Sequence, residues 1–302
     1  MGSFDTDYEM TESWNKKIIE ARRKMQNPYA FLNDKGGYDA VPNQSVDMVG
    51  NSFVISPEDI RRNSPIKDDK LKEIRDPFIK IEQVANKLLN EMWKNKRQIW
   101  LKNEPNRPID VRDPVVALRL IGYDYDLSET LGQFSRRGQQ IEVAGIIDNS
   151  LKQVRVSRQF TPIIRNFTAA HELGHAILHN ANGLHRDRPL DGSRIVGSRE
   201  AIEVEADKFA TYFLMPQKLV RTIFKRTFDT DCFSLNEATI FAFPPDISKE
   251  MTRKCKIPRD LSRILASVEC YNGQHFISLA SQFEVSVEAM AIRLEELKLL
   301  RL

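Results

Sequence analysis

Two histidines with a glutamate between them are the part of this sequence best able to do chemistry. Histidine is scarce, with five in 302 residues, and four of the five lie between positions 171 and 185. His171 and His175 frame the segment His-Glu-Leu-Gly-His. In a helix, a spacing of four residues is one turn plus about 40°, so both imidazoles point to one side and can bind a single metal ion. So short a motif also occurs by chance, and its surroundings must support the site.

Glu172 follows the first histidine directly, which places its carboxylate beside a shared metal ion rather than on it. A carboxylate there can take a proton from a water molecule and later pass it to the leaving amine of a peptide. The expected ion is Zn²⁺, which makes hydroxide available near neutral pH. Mn²⁺ or Co²⁺ can substitute in vitro.

The residues around the motif favour a metal site. The flanking segments 167–170 and 176–178 are mostly apolar, so the histidines are expected to be half-buried and to need partners. A catalytic zinc site also needs a third protein ligand. Glu203 and Asp207 are four residues apart, so they share a helix face; Glu203 is predicted to bind the metal and Asp207 to accept an N–H from a ligating histidine.

Other polar residues near the motif receive weaker predictions. Glu200 is the rival ligand, whereas Glu205 lies about 200° from Glu203 on the helix and is expected to face solvent. His179 is expected to cap the last helical turn, with donation to a carbonyl oxyanion as the alternative. Gly174 costs about 1 kcal/mol relative to alanine inside a helix, which predicts close approach of a neighbouring strand or of the substrate.

Helices are predicted upstream of the motif from apolar periodicity and start signals. One carries a stripe at helical spacing, formed by Ile81, Val84, Ala85, Leu88, Leu89 and Met92. Another begins at Asp113-Pro114 and ends at Gly122. A further helix start is expected at Ser56-Pro57, and a short solvated helix at about Trp14 to Met25.

A hairpin is predicted directly before the motif helix. The runs Gln140 to Ile147 and Gln153 to Ser157 alternate in polarity on either side of a turn. Helices are then expected over 163–180 and from about 199 to 214. The proline-containing segment 228–260 is expected to be irregular.

Composition indicates a globular protein without a membrane anchor. Hydrophobic residues make up 41% and charged residues 29%, and the net charge is +3. Neither an apolar run long enough to span a bilayer nor a secretory signal is recognisable. The three cysteines have no CxxC spacing, which favours reduced thiols and a cytoplasmic location.

The segment from Thr168 to His175, followed by Leu178-His179, resembles the core of the ImmA/IrrE family of metallopeptidases. The segment from Glu203 to Ala210, with Leu214-Met215-Pro216 after it, resembles the second motif of that family. Alignment on Leu-Met-Pro puts the family's glutamate ligand at Glu203. The resemblance covers roughly residues 76–302.

The resemblance implies an α+β fold: a mostly helical, thermolysin-like zincin core with a small β-sheet or hairpin before the HExxH helix. It places a metallopeptidase core at 76–227. Outside the resemblance, polar composition and turn formers predict a partly ordered N-terminal extension at 1–75. The sequence rhythm near the C-terminus predicts a helical, helix-turn-helix-like module at 228–302. The strand Gln153 to Ser157 would be the edge to which a substrate backbone adds.

The activity implied is that of a zinc-dependent endopeptidase. Members of the family cleave a helix-turn-helix repressor encoded nearby and so switch on phage, mobile-element or stress-defence genes. Two alternatives are a zinc-containing regulator that sequesters a repressor without cutting it, and a direct DNA-binding transcription factor.

Charge counts bear on nucleic acid as a partner. Residues 276–302 contain three basic residues and four glutamates, a net charge of −1, which argues against phosphate binding. This module, with helices joined at Val285-Ser286, is expected to pack on the core or to contact the repressor. Residues 151–199 contain eight basic and three acidic residues, a net charge of +5. They are more simply a solvated face, but activation by single-stranded DNA is a second hypothesis.

Overall fold

The computed structural model describes five parts of the chain: 54–62, 78–136, 139–179, 184–187 and 201–302. The helix expected at Trp14 to Met25 lies outside them, as does most of the N-terminal extension. Within the described residues the fold is mixed α+β and mostly helical with small sheets, which confirms the predicted class.

The helices of the described residues are α1 (Pro57–Arg62), α2 (Ile79–Lys94), α3 (Lys96–Ile99), α4 (Pro114–Leu120), α5 (Pro162–Leu178), α6 (Ala201–Leu214), α7 (Gln217–Phe228), α8 (Glu237–Phe241), α9 (Pro245–Lys254), α10 (Pro258–Ser267), α11 (Leu279–Gln282) and α12 (Val287–Glu296). A 3₁₀ turn spans Pro108–Val111. The predicted apolar stripe of α2 is buried along its whole length. Asp113 begins α4 as predicted, because its carboxylate accepts hydrogen bonds from the amides of Val115 and Val116.

The strands are β1 (Asp124–Ser128), β2 (Gln133–Arg136), β3 (Gln139–Glu142), β4 (Gly145–Asp148), β5 (Gln153–Ser157), β6 (Leu184–Asp187), β7 (Phe233–Ser234), β8 (Cys270–Tyr271), β9 (Gln274–His275) and β10 (Leu300–Arg301). The main sheet has the order β1-β5-β4-β6. β5 is parallel to β1 and antiparallel to β4, and β6 is antiparallel to β4. The remaining strands form three two-stranded pairs.

The predicted hairpin is correct in its second half and wrong in its first. β4 and β5 pair as expected, but the run from Gln140 to Ile147 is divided between two strands. Its first part belongs to β3, which pairs with β2, whereas its second part enters the main sheet. The division lies at Val143 and Ala144, two consecutive buried residues that interrupt the alternation between buried and exposed positions.

The expectation that β5 is an edge strand is also wrong. β5 lies between β1 and β4 and is hydrogen-bonded to both, so a substrate strand has no free edge there. The strand that covers it, β1, was not predicted. Its sequence Asp-Tyr-Asp-Leu-Ser carries two aspartates, which are uncommon in strands.

Helices α5 and α6 pack closely at Gly174. A Cβ atom at Gly174 would lie 3.1 Å from both Cα and the carbonyl oxygen of Ala206, and 3.2 Å from Cβ of Phe209. The close neighbour that requires glycine is therefore a helix, not a strand or the substrate. This contact brings the histidines of α5 and the carboxylates of α6 to the same interface.

The segment 228–260 is more regular than expected. It contains β7, α8, α9 and the start of α10. Pro245 and Pro258 occupy the first turns of α9 and α10, where the missing N–H has no helical partner to lose. The prolines thus begin helices here rather than interrupt them.

The hydrophobic core is one cluster that extends from Ile55 to Leu299. It includes residues on both sides of the predicted boundary between 227 and 228. Within 228–302, β7 near the beginning pairs in parallel with β10 at the end. The division into a core and a C-terminal module stays a prediction.

Two further features concern the described residues alone. No helix among them is long and apolar enough to cross a bilayer. Cys232, Cys255 and Cys270 form no disulfide.

Candidate metal centre

The two motif histidines are buried on one face of α5. His171 is 1% and His175 2% exposed, and their Nε2 atoms lie 3.0 Å apart. Pro162 begins the helix at its first turn, so the backbone is regular well before the first histidine is reached. The spacing of four residues therefore produces the convergence expected from the sequence.

Glu203 approaches both histidines from α6. Its Oε2 atom lies 3.4 Å from Nε2 of His171, and its Oε1 atom lies 3.6 Å from Nε2 of His175. The donor atoms of the three residues are all within 4.8 Å of one another. A tetrahedral ion with bonds of about 2.0–2.1 Å separates its ligand atoms by roughly 3.3–3.4 Å, so the spacing fits a metal ion of that geometry.

Asp207 orients one of the candidate ligands. Its Oδ1 atom lies 2.9 Å from Nδ1 of His171. An ionised carboxylate only accepts, so Nδ1 of His171 carries the hydrogen and Nε2 keeps its lone pair for a metal. This is the arrangement that the shared helix face of Glu203 and Asp207 predicted. Glu200, the rival ligand, lies outside the described residues.

Glu172 is fully buried where α5 contacts β4. A Cβ atom at Gly145 of β4 would lie 2.6 Å from Oε1 of Glu172 and 2.6 Å from Cγ2 of Thr168. Only glycine at position 145 leaves room for this carboxylate. Sequence reasoning missed Gly145; a glycine inside an otherwise apolar strand was the available signal.

His179 is the C-terminal cap residue of α5, as expected, although it caps the helix through its backbone rather than its ring. Its backbone N–H closes the last turn on the carbonyl of His175. Its Nδ1 atom lies 3.1 Å from Nδ1 of His175, and its Nε2 atom lies 3.0 Å from Oε2 of Glu205. The ring is thus held by side chains on both sides.

The expectation that Glu205 only faces solvent is wrong. The expectation took Glu203 as the centre of the helix face that meets α5. In the structure, the surface of α6 that touches α5 includes Ala206 instead. Glu205 and Asp207 are the neighbours of Ala206, each turned about 100° away in opposite directions. Each of these two side chains reaches a histidine.

Two histidines and a glutamate around one point, with a second carboxylate buried alongside, form the type of centre found in metal-dependent peptide hydrolases. The family model of the IrrE N-terminal-like domain, Peptidase_M78, matches residues 130–232, about a third of the chain. This match confirms the resemblance to the ImmA/IrrE metallopeptidases, and all the site residues named above lie inside it. A search of curated proteins and a search of solved structures each give no significant match.

Proposed function

We propose that this protein is a zinc-dependent endopeptidase. The observation that carries the proposal is the convergence of donor atoms from His171, His175 and Glu203, with Glu172 buried beside them. The match to a peptidase family over the same residues supports it independently. Two imidazole nitrogens and a carboxylate oxygen in tetrahedral spacing are a ligand set that zinc prefers.

Zinc bound there would supply a Lewis acid and make hydroxide available near neutral pH. The side chains of the protein would bind the ion, orient its ligands and transfer the proton. His171, His175 and Glu203 hold the ion, and Asp207 keeps His171 in the ligating tautomer. Glu172 accepts a proton from water and returns it to the leaving amine. Its buried carboxylate occupies the space that a side chain at position 145 would fill.

The substrate we propose is a helix-turn-helix repressor, whose cleavage derepresses phage, mobile-element or stress-defence genes. The support is the family resemblance. For the substrate backbone, β6 is the better candidate among the outer strands of the main sheet. It pairs with β4, the strand whose Gly145 touches Glu172, whereas β1 lies two strands away from β4.

The test compares the wild type with Glu172→Gln. Each is mixed with the repressor-like protein encoded nearest to it, with and without a chelator, and fragments are identified by intact mass. We expect cleavage by the wild type alone, abolished by the chelator. Glu269→Gln, at an exposed position outside the donor cluster, is the matched control and should cleave like the wild type.

A zinc-containing regulator that does not cut is the main alternative. It predicts a stable complex with the repressor, bound zinc, and a Glu172→Gln variant that behaves like the wild type in cells. Cleavage abolished in this variant with zinc still bound excludes that alternative.

We also propose activation by single-stranded DNA as a secondary hypothesis. Of the basic residues between 151 and 199, Arg158 is paired with Glu129 at 3.2 Å, and Arg188, Arg194 and Arg199 lie outside the described residues. Cleavage and gel mobility would be measured with and without single-stranded DNA at several salt concentrations. If neither changes, this hypothesis is rejected.

A further inference from the structure

A chain of three side chains links His175 to α6. His175 contacts His179 through Nδ1 atoms 3.1 Å apart, and Nε2 of His179 contacts Oε2 of Glu205 at 3.0 Å. The His179 side chain is 11% exposed, whereas that of Glu205 is 43% exposed. The chain therefore runs from the buried centre to the protein surface.

The direction of the hydrogen bonds along this chain follows from its outer end. An ionised Glu205 can only accept, so Nε2 of His179 carries a hydrogen. In the neutral ring, Nδ1 of His179 is then an acceptor, and Nδ1 of His175 must be the donor. This leaves the lone pair on Nε2 of His175, the atom that lies 3.6 Å from Oε1 of Glu203 and 3.0 Å from Nε2 of His171.

The two histidines of the centre are therefore oriented by carboxylates of the same helix in two different ways. Asp207 contacts His171 directly, whereas Glu205 acts on His175 through His179. The two carboxylates are the sequence neighbours of Ala206, which packs against Gly174, the residue directly before His175. The contact of Ala206 with Gly174 thus positions both Asp207 and Glu205.

We propose that His179 and Glu205 are positioning residues that hold His175 in its metal-binding tautomer and orientation, and so raise the affinity of the centre for zinc. The proposal depends on the metal site of the proposed function but not on proteolysis. Partners of this kind beyond the ligands typically change metal affinity about 10–100-fold. His179 should lie near the upper end of that range because it touches His175, and Glu205 near the lower end because water can partly replace it.

The test measures zinc affinity of the full-length protein by competition with a chromophoric chelator. His179→Phe keeps a ring but removes both hydrogen bonds, and we expect about 10–100-fold weaker binding. His179→Asn places a side-chain oxygen near the position of Nδ1, where it can accept from Nδ1 of His175, and should recover most of that loss. Glu205→Ala should weaken binding up to about 10-fold. Glu269→Ala is the matched control, because Glu269 is exposed and takes no part in the hydrogen bonds of His175, His179 and Glu205.

A purely structural role is separated by thermal unfolding without metal. We expect the zinc-free midpoints of His179→Asn and Glu205→Ala to match that of the control. Only the zinc-induced rise in midpoint should be reduced, and it should be reduced less in His179→Asn than in His179→Phe. If His179→Phe binds zinc within about twofold of the wild type, or if His179→Asn is as weak as His179→Phe, the proposal is overturned.

The outcome is distinguishable from failure of the proposed function. A wild type that binds zinc but does not cleave would reject the endopeptidase and leave the roles of His179 and Glu205 standing if the affinities follow the expected order. A wild type that does not bind zinc would reject both.

Discussion

The α5–α6 centre and the C-terminal helix pair, α10 with α12, use polar side chains in opposite ways. At the centre, Nε2 of His171, Nε2 of His175 and the carboxylate of Glu203 offer lone pairs to the same point. In the C-terminal pair, basic side chains of α10 form ion pairs with acidic side chains of α12 at partly buried positions. The first arrangement is suited to bind a cation, whereas in the second the opposite charges are already paired within the protein.

Arg293 shows this most clearly. It belongs to α12, the helix that would enter the major groove in a DNA-binding protein, and it is one of only three basic residues between 276 and 302. Yet it is 3% exposed, and it donates to the carbonyl of Met215 and to Glu82. Its guanidinium also lies over the ring of Tyr212 at 4.8 Å.

The other charged residues of α12 are used in the same way. Arg259 of α10 forms two hydrogen bonds to Glu295, and Arg263 contacts Glu288 at 2.7 Å. A helix with its arginine turned inward and its glutamates paired with a neighbouring helix is a packing element. The comparison teaches that opposite charges satisfied within the fold indicate structure, whereas convergent lone pairs indicate a ligand.

The largest effect is expected at Arg293. Arg293→Met keeps much of the side-chain volume but leaves Glu82 and the Met215 carbonyl without this donor. The free energy of unfolding should therefore fall by about 3–5 kcal/mol. Urea denaturation measures this, with the exposed Arg301→Met as control. A loss below about 1 kcal/mol would contradict a structural role for the ion pair.

Glu203→Ala should have the largest effect on metal. Removal of a ligand should weaken zinc binding by more than the roughly 10–100-fold typical of residues behind the ligands. Competition with a chelator measures the affinity, and Glu269→Ala is the control. Retention of wild-type affinity would show that Glu200 or another residue is the third ligand.

Gly145→Ala should separate catalysis from metal binding. The added Cβ would lie 2.6 Å from Oε1 of Glu172 and must displace this carboxylate. A misplacement of about 1 Å can cost about 100-fold in rate, so cleavage should fall to that extent. Zinc affinity, measured on the same preparation, should stay within about twofold; a parallel loss of zinc would mean that the whole sheet has moved.

Gly174→Ala should disturb the metal centre at the contact between α5 and α6. The gain of about 1 kcal/mol in helix propensity is opposed by overpacking of about 1–3 kcal/mol against Ala206. We expect slight destabilisation, up to about 2 kcal/mol, and weaker zinc binding, because His175 and Glu203 lie on the two helices forced apart. Chemical denaturation and zinc competition test the two parts separately, and unchanged zinc affinity would show that the helices adjust without moving the ligands.

The smallest effect is a pH dependence in the C-terminal pair. Burial opposes ionisation of Glu295, but hydrogen bonds from Arg259 and Ser262 outweigh it and lower the pKa of Glu295 below its usual 4.5. Because the folded-state pKa is depressed, the stabilisation is present above pH 4.5 and is lost as the pH falls through the folded value.

Glu295→Gln should remove that part of the acid sensitivity. The measurement is the difference in unfolding free energy between wild type and variant from pH 6 down to pH 3. Burial raises the pKa of Asp113, which changes stability in the opposite sense, but this contribution cancels in the difference. A difference that does not vary with pH would contradict the assignment.

The sequence by itself determined those features that depend on residues close together in the chain. The convergence of His171 with His175, and the common face of Glu203 and Asp207, follow from the period of the helix. The buried stripe of α2 and the start of α4 follow from apolar spacing and from a capping aspartate. The segments around His171 and Glu203 also carried the resemblance to the ImmA/IrrE metallopeptidases over roughly residues 76–302, of which the family model matches 130–232.

Only the tertiary structure decided which remote segments meet. The central position of β5, the room that Gly145 leaves for Glu172, and the contact of Glu205 with His179 each join segments that periodicity treats separately. Helical spacing fixes the angle between residues of one helix, but not which angle faces the neighbouring helix. That direction was set by the contact of Gly174 with Ala206, a packing event between two helices.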